Sequence, residues 1–333
     1  VSLVSLGVGV LLAASACSSG GDDPSASGGA ESVTVGYSGY TVDIGYFVGL
    51  EKGMQQGAEA AGVKLISTNA NANSSQQLTD IQNLITQGVD YLVISPYDGA
   101  AVIPGVKAAQ EAGIPVISVA DDIKTDIAMT MNLDHVDAGR QQAANLLEFL
   151  TAKYGSPKGN VVDMQGTPAT VSTGLRGQGL QELVEKYPDI TIVQSVNGEW
   201  TTEGSNKAMT DVLQAQPDID AVYTDSGDMA VGALRAIEVA GLQKPVGDPD
   251  HIWVGGINGD PNAIAYIREN MQDVEVASNP VKMGALLMDM LKDAKLNGTE
   301  LPKTYEFKNL AITPENIDSP EVAEYGIWAD EVK

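Results

Sequence analysis

The chain has 333 residues, 43% of them hydrophobic, with 44 Asp and Glu against 19 Lys and Arg, a formal net charge of −25. So acidic a surface repels phosphate backbones and no basic cluster interrupts it, which excludes nucleic acid as a partner. A single cysteine permits no intrachain disulfide, and the two histidines, His135 and His251, have no ligand at metal-site spacing, so neither a disulfide scaffold nor a metal centre is expected.

Leu3 to Ala16 reads LVSLGVGVLLAASA, apolar and small. It falls short of the roughly 20 apolar residues of a spanning helix and has the length of a secretory h-region. No Lys or Arg precedes it, and Ala14-Ser15-Ala16 supplies the small residues that a signal peptidase requires. Residues 1–16 are therefore expected to be a signal peptide. The small-small-Cys ending resembles a bacterial lipobox, in which Cys17 becomes the lipid-modified first residue of the mature protein. Residues 17–32 are then that cysteine and a Ser/Gly/Asp-rich tether, with a root-mean-square reach of roughly 20 Å.

Val33 to Tyr37 opens the folded part as a short β-rich run, and Phe47, Leu50 and Met54 follow at helical spacing. Val63 to Ser67 reads as a strand, and Leu78, Ile81, Leu84 and Ile85 line one helix face. The near-continuous apolar run VDYLVIS (Val89 to Ser95) suits a strand buried on both faces of a parallel sheet. Next comes a helix ending at Gly113, with Pro104 in its first turn, and then the strand IPVISVA. The alternation resumes with GNVVDMQG, a helix over Val171 to Tyr187, ITIVQSV, a helix over Asn206 to Gln214, and IDAVYTD. MAVGALRAIEVAG, HIWVGGI, a helix over Ala263 to Asn270, and VEVASN complete it. Strand and helix alternate throughout, which makes this an α/β protein with parallel sheets, and about 300 residues suffice for two lobes.

No G-x-S-x-G elbow, H-E-x-x-H pair or Walker loop is present, and RGQGLQE lacks the third glycine of a dinucleotide fingerprint. Gly177 and Gly179 there read as residues that permit close packing, and His135 and His251 as loop or rim residues. Neither an enzyme nor a bound cofactor is expected.

Several phrases then match one family in order: GYFVGLEKGMQQGAEAAGVKL, DIQNLITQGVDYLVISPYDGAAV, AGIPVISVADD, GLRGQGLQE, AVYTDSGDMAVGALRAIEVAG and VGGINGDPNAI. Over about residues 33 to 313 the chain resembles the ribose-type sugar-binding proteins of bacterial ABC importers (type I periplasmic binding proteins). It is also similar to the effector-binding half of LacI-type repressors. A lipobox rather than a helix-turn-helix precedes Val33, which favours the exported binder.

The resemblance implies two Rossmann-like lobes joined by a three-crossing hinge near Asn132 to His135, Ser278 to Pro280 and Phe307 to Asn309, with the ligand cleft between. The lobes would comprise 33–133 plus 279–307, and 134–278 plus 308–333. Tyr46 and Phe47 stand where the family stacks aromatics on a sugar, with Tyr40 in reach and Asp43 at a polar position. Asp121 and Asp122 end a strand where carboxylates accept pairs of hydroxyls; ribose binders carry Asp-Arg at this point, and here the register gives Ala120-Asp121. Arg176 matches a sugar-binding arginine whose fork donates twice. Trp200 matches an aromatic closing on the ligand's other face. Asp225, Ser226 and Asn258 end strands of the second lobe, and Asn279 or Ser278 lies at the last crossing. The expected protein is a monomeric, extracytoplasmic, membrane-anchored lipoprotein that captures a monosaccharide or sugar alcohol for an ABC permease. A sensor presenting a sugar-like signal to a membrane receptor would have the same cleft.

Overall fold

The computed structural model describes residues 32–168, 170–216 and 218–331, so the segment expected to be a signal peptide, Cys17 and nearly all of the expected tether lie outside the described residues. From there the chain runs β1 (Thr34–Gly39), α1 (Gly45–Ala61), β2 (Lys64–Asn69), α2 (Ser74–Thr86), β3 (Tyr91–Ile94), α3 (Ile103–Glu111), β4 (Val116–Ala120) and β5 (Met129–Leu133). It continues as α4 (His135–Tyr154), β6 (Gly159–Gln165), α5 (Val171–Lys186), β7 (Ile190–Asn197), α6 (Thr202–Ala215) and β8 (Ala221–Thr224). After α7 (Gly227–Val239), β9 (Trp253–Asn258), α8 (Pro261–Arg268) and β10 (Val274–Ala277) come α9 (Pro280–Asn297), β11 (Thr304–Phe307), β12 (Leu310–Ile312) and α10 (Pro320–Tyr325).

The strands form two six-stranded sheets, ordered β11-β5-β4-β3-β1-β2 and β12-β10-β9-β8-β6-β7. All pairings are parallel except β12 with β10, an antiparallel edge. Helices cover both faces of each sheet, and for that reason β3, β4 and β9 are buried at every position. On the first sheet, α1 and α9 close one face around Leu50, Met54, Met283 and Leu287, while Ile81, Leu84 and Val106 close the other. The second sheet has matching cores around Leu146 and Leu180 on one side and Met209 and Leu234 on the other.

Glycine sets two helix contacts. A Cβ on Gly53 of α1 would stand 2.0 Å from the Val281 carbonyl oxygen of α9, and one on Gly179 of α5 would stand 2.3 Å from the Gly139 backbone of α4. Close packing, expected at Gly177 and Gly179, holds at Gly179 alone, since Gly177 faces open space. Pro104 does lie in the first turn of α3, and Gly113 just beyond that helix adopts φ +76°.

Hydrophobic period did not pick out β5, α4, α9, β11, β12 or α10. The buried face of α4 begins His135, Ala138, Gly139, Gln142, Ala143 and reaches leucine only at Leu146 and Leu150, so small and polar residues mask its stripe. The edge strand β11, TYEF, is only half-buried on alternate residues.

The chain passes between the sheets at Asp134, at Ser278–Asn279 and at Lys308–Asn309. One buried side chain ties these passages together. Asn309 donates from Nδ2 to the Asp134 carbonyl at 2.8 Å and accepts the Ser278 hydroxyl proton at 2.6 Å.

Candidate functional site

In open parallel sheets ligands meet the carboxyl ends of the strands. Here those ends converge from both sheets on one cavity of about 630 Å³, counting its open mouth. The first sheet contributes Tyr40, Ile44, Tyr46 and Phe47 after β1, Ala120 and Asp121 after β4, and Leu133 and His135 around the first passage. The second contributes Thr170, Ser172 and Arg176 at the start of α5, Trp200 before α6, Ser226 and Asp228 around the start of α7, and Asn258 at the end of β9.

Tyr40, Tyr46, Phe47, Asp121, Arg176, Trp200, Ser226 and Asn258 are thus brought together, while four residues singled out with them do not line this cavity. Asp43 is exposed in the turn before α1, where its backbone N–H bonds the Thr41 hydroxyl at 3.1 Å. Asp122 points into a neighbouring recess and accepts from Asn132 Nδ2 at 2.6 Å, because the chain turns at Ala120 with φ +73°. Asp225 is fully buried beneath the wall: its carboxylate takes the Gly166 N–H at 2.9 Å and its carbonyl takes an Arg176 N–H. Asn279 caps α9, accepting from the Lys282 N–H at 3.0 Å. Of the two histidines read as loop or rim residues, His251 does lie in the loop before β9 but is buried, and His135 lies in a helix. His135 is buried in the first turn of α4, and His251 is buried away from the cavity between Asp273 Oδ2 at 2.9 Å and the Lys244 carbonyl at 2.7 Å.

Aromatic rings form the first-sheet wall. Phe47 meets Tyr40 edge-on at a centroid distance of 4.9 Å and Tyr46 at 5.7 Å. Opposite them, Trp200 and its neighbour Glu199 both adopt left-handed backbone, φ +60° and +57°. That unusual pair turns the indole onto Gly166, where a Cβ would stand 2.2 Å from the ring. Ala120, Trp200 and Asn258 (φ +114°) are all cavity residues in conformations that cost a non-glycine residue energy, and such strain concentrates at functional sites.

Arg176 organises the polar side. Its Nε–H donates to His135 Nδ1 at 3.2 Å and Nη1–H to the Asp225 carbonyl at 2.6 Å, leaving Nη2 as the uncommitted end. The guanidinium lies 5.5 Å from the Trp200 ring centre. Burial, with Arg176 beside it, lowers His135 to about 3, so the ring is neutral and accepts at Nδ1. Its proton then sits on Nε2, 4.0 Å from Asp121 Oδ1. Burial pushes Asp121 up to about 6 against the pull of Arg176, and Asp225 up to about 7. The Asp121 side chain is 36% exposed, toward the cavities it lines, so its desolvation is that of a narrow cleft. Below the Asn258–Gly259 turn, Glu275 is held up at about 7 by burial while its Oε1 accepts the Gly259 N–H at 2.8 Å.

Sequence reasoning missed Ile44, Leu133, Thr170, Ser172 and Asp228, and misjudged His135. Asp228 was within reach of the strand-end rule, two residues beyond Ser226; the others carry no residue-type signal. The assembled groups offer ring faces, acceptors and one guanidinium. Among the described residues no hydroxyl is hydrogen-bonded to His135, and no cluster of three or more His, Cys, Asp or Glu has metal-site geometry. This is equipment for holding a polar, ring-shaped solute.

The family described as a periplasmic binding protein domain matches residues 35–300. The ribose import binding protein of Bacillus subtilis (strain 168) is 32% identical over 284 residues, which are 84% of this chain and 87% of that protein. The xylitol-binding protein of Mycolicibacterium smegmatis is 30% identical over 273 residues, 80% of this chain and 74% of that protein. Among solved structures, the periplasmic binding component of the arabinose ABC transporter from Shewanella sp. ANA-3, bound to alpha and beta-L-arabinofuranose, superposes with a TM-score of 0.79 at 26% identity, covering 90% of this chain and 98% of that one. Two sheets joined by three chain passages, a cavity walled from both, and a match over most of the chain agree: this chain belongs to the periplasmic binding protein domain family.

Proposed function

We propose that the chain is an extracytoplasmic binding protein that captures a monosaccharide or sugar alcohol and delivers it to an ABC import permease. In this reading it acts as a monomer of two lobes, 33–133 plus 279–307 and 134–278 plus 308–333, anchored through lipid on Cys17. The observation that carries the reading is the single cavity in which Tyr40, Tyr46 and Phe47 face Trp200 across a gap edged by Asp121, Arg176, Ser226 and Asn258. Rings take the apolar C–H faces of a sugar, and the charged and amide groups take its hydroxyl edge. A ligand touching both walls binds the closed arrangement better than the open one, and that difference alone drives closure. Relatives named for ribose and xylitol, and a neighbour holding arabinofuranose, support this class of solute.

A thermal-shift panel of D-ribose, L-arabinose, D-xylose, D-galactose, xylitol and myo-inositol tests it. A true ligand at a hundredfold excess over Kd stabilises the fold by about 2.7 kcal/mol. The ligand should also change tryptophan emission, and Trp200→Ala should abolish most of that change and weaken binding about tenfold, from lost stacking and lost apolar burial. A flat panel, or a Trp200→Ala protein of unaltered affinity, speaks against the reading. The anchor has its own readout: Cys17→Ser should move the protein from the membrane fraction into the medium, and unchanged fractionation would refute lipidation.

A further inference from the structure

The segment after β12 returns to the hinge and then enters the space between the lobes. The Tyr325 hydroxyl lies 3.0 Å from the Ala277 carbonyl, 2.8 Å from the Lys308 carbonyl and 3.0 Å from the Asn279 N–H, so it touches two of the three passages at once. Three residues later Trp328 is 1% exposed, although it lies in a short 3-10 turn close to the end of the described chain. Its Nε1–H donates to the Asn258 carbonyl at 2.9 Å. The other side of its ring rests on the first turns of α1, where a Cβ at Gly49 would stand 3.2 Å from Cε3 and one at Gly45 3.7 Å from Cη2. The turn is pinned on both sides. Asp330 takes a bidentate pair from Arg268 of α8 at 2.6 and 3.0 Å, and Lys52 of α1 donates to the Glu331 carbonyl.

Trp328 therefore fills a wedge between two elements that build the cavity from opposite lobes, and does not itself line that cavity. On one side is the helix start that carries Tyr46 and Phe47. On the other is Asn258, held at φ +114°, a conformation that persists only when the surroundings fix it. The indole N–H is the fixed point for that carbonyl, and Gly259 leaves room for it, since a Cβ there would stand 2.9 Å from Nε1.

Building on the cavity as the ligand site, we propose that Trp328 is a positioning residue for binding. From behind the cavity it holds Asn258 in its left-handed conformation and seats the start of α1 against the second lobe, so the closed arrangement is favoured before ligand arrives. Separation of the lobes would strip one face of a buried indole, which opposes opening in proportion to the apolar area exposed.

The test uses the full chain with Cys17→Ser and spin labels at Leu296→Cys on α9 and Val239→Cys on α7, both exposed and neither lining the cavity. Trp328→Ala should shift the ligand-free interlobe distance distribution to longer values, and Trp328→Phe, which keeps the packing, should leave it close to wild type. With the tightest-binding member of the panel above as probe, Trp328→Phe should speed dissociation about fivefold through the lost N–H bond, with melting temperature little changed. Asn258→Ala keeps the carbonyl but removes the side chain from the cavity, so in that background the effect should shrink, because the bond acts by positioning that side chain. Unchanged distances in Trp328→Ala together with an unchanged off-rate in Trp328→Phe would overturn the inference. Should Trp328→Ala not fold, Trp328→Phe still decides it. Should nothing in the panel bind, the sugar reading falls while the distance measurement still judges the wedge.

Discussion

Arg176→Lys is expected to weaken ligand binding about a hundredfold, measured by titration calorimetry, while the protein stays folded. Lysine keeps the positive charge but has no fork. In the native site that fork does three things at once. Nε–H orients the His135 ring, Nη1–H holds the Asp225 carbonyl at the end of β8, and, in the proposed binding role, Nη2 would donate to the solute. A point charge cannot serve three directions, so the ligand loses a charged hydrogen bond, worth about 1.5–3 kcal/mol, and the neighbouring wall loses its alignment. Stability should fall less than affinity, because the lysine ammonium keeps a positive charge beside Asp225 and the Asp225 carboxylate keeps its Gly166 N–H. An Arg176→Lys protein within threefold of wild-type affinity would remove this residue from the site.

Acidification should stabilise the ligand-free protein. Asp225 and Glu275 are raised by burial to about 7 and Asp121 to about 6, from ordinary values of 3.8, 4.5 and 3.8. Between the two sets of values the folded chain holds protons that the unfolded chain has released, so stability falls as pH rises through that window. His135 acts in the opposite sense: lowered to about 3 from 6.5, it favours unfolding as pH drops below its ordinary value. His135 is outweighed by these three and by Asp163, Asp260 and Asp273, which burial also raises. The lowered carboxyls of Asp90, Glu182 and Asp220 begin to lose their contribution only as pH approaches their ordinary values, about 4. Protonation also relieves the self-repulsion of a net charge of −25. The melting temperature without ligand should rise by at least about 5 °C between pH 7.5 and pH 5.0. An equal or lower value at pH 5.0 would contradict the buried, protonated state of these groups.

How far the sequence could be read depended on the kind of signal each element carries. Strands buried on both faces, such as Tyr91–Ile94 and Trp253–Asn258, announce themselves by composition alone. Helix α4 does not, because its contact with α5 is made through Gly139 and Gly179, where the absence of a side chain is the packing device. The aromatic wall and Arg176 were legible through residue type and family phrase together. Asp225 and Asn279 illustrate the limit. Each ends a strand or begins a helix where a ligand contact is reasonable, and each carries a side chain spent on backbone N–H groups instead. Choosing between a solute's hydroxyl and a neighbouring amide needs directions in space, which no spacing rule contains. His135 fails for a related reason, since its partner Arg176 stands 41 residues away.

The order in which the first lobe receives its parts bears on how the chain acquires its shape. Leu50 and Met54 of α1 share a core with Met283 and Leu287 of α9, and the edge strand beside β5 is β11. Both arrive only after the whole run from β6 to β10 has been made. A growing chain that ends short of Pro280 therefore presents an apolar helix face with nothing to cover it, and such long-range pairing is slow to form. Synthesis would have to be almost complete before the first lobe could lock, whereas the cores of the second sheet come from one continuous run of chain. Until then the polypeptide should stay loose enough to thread a narrow channel and exposed enough to require a chaperone's cover.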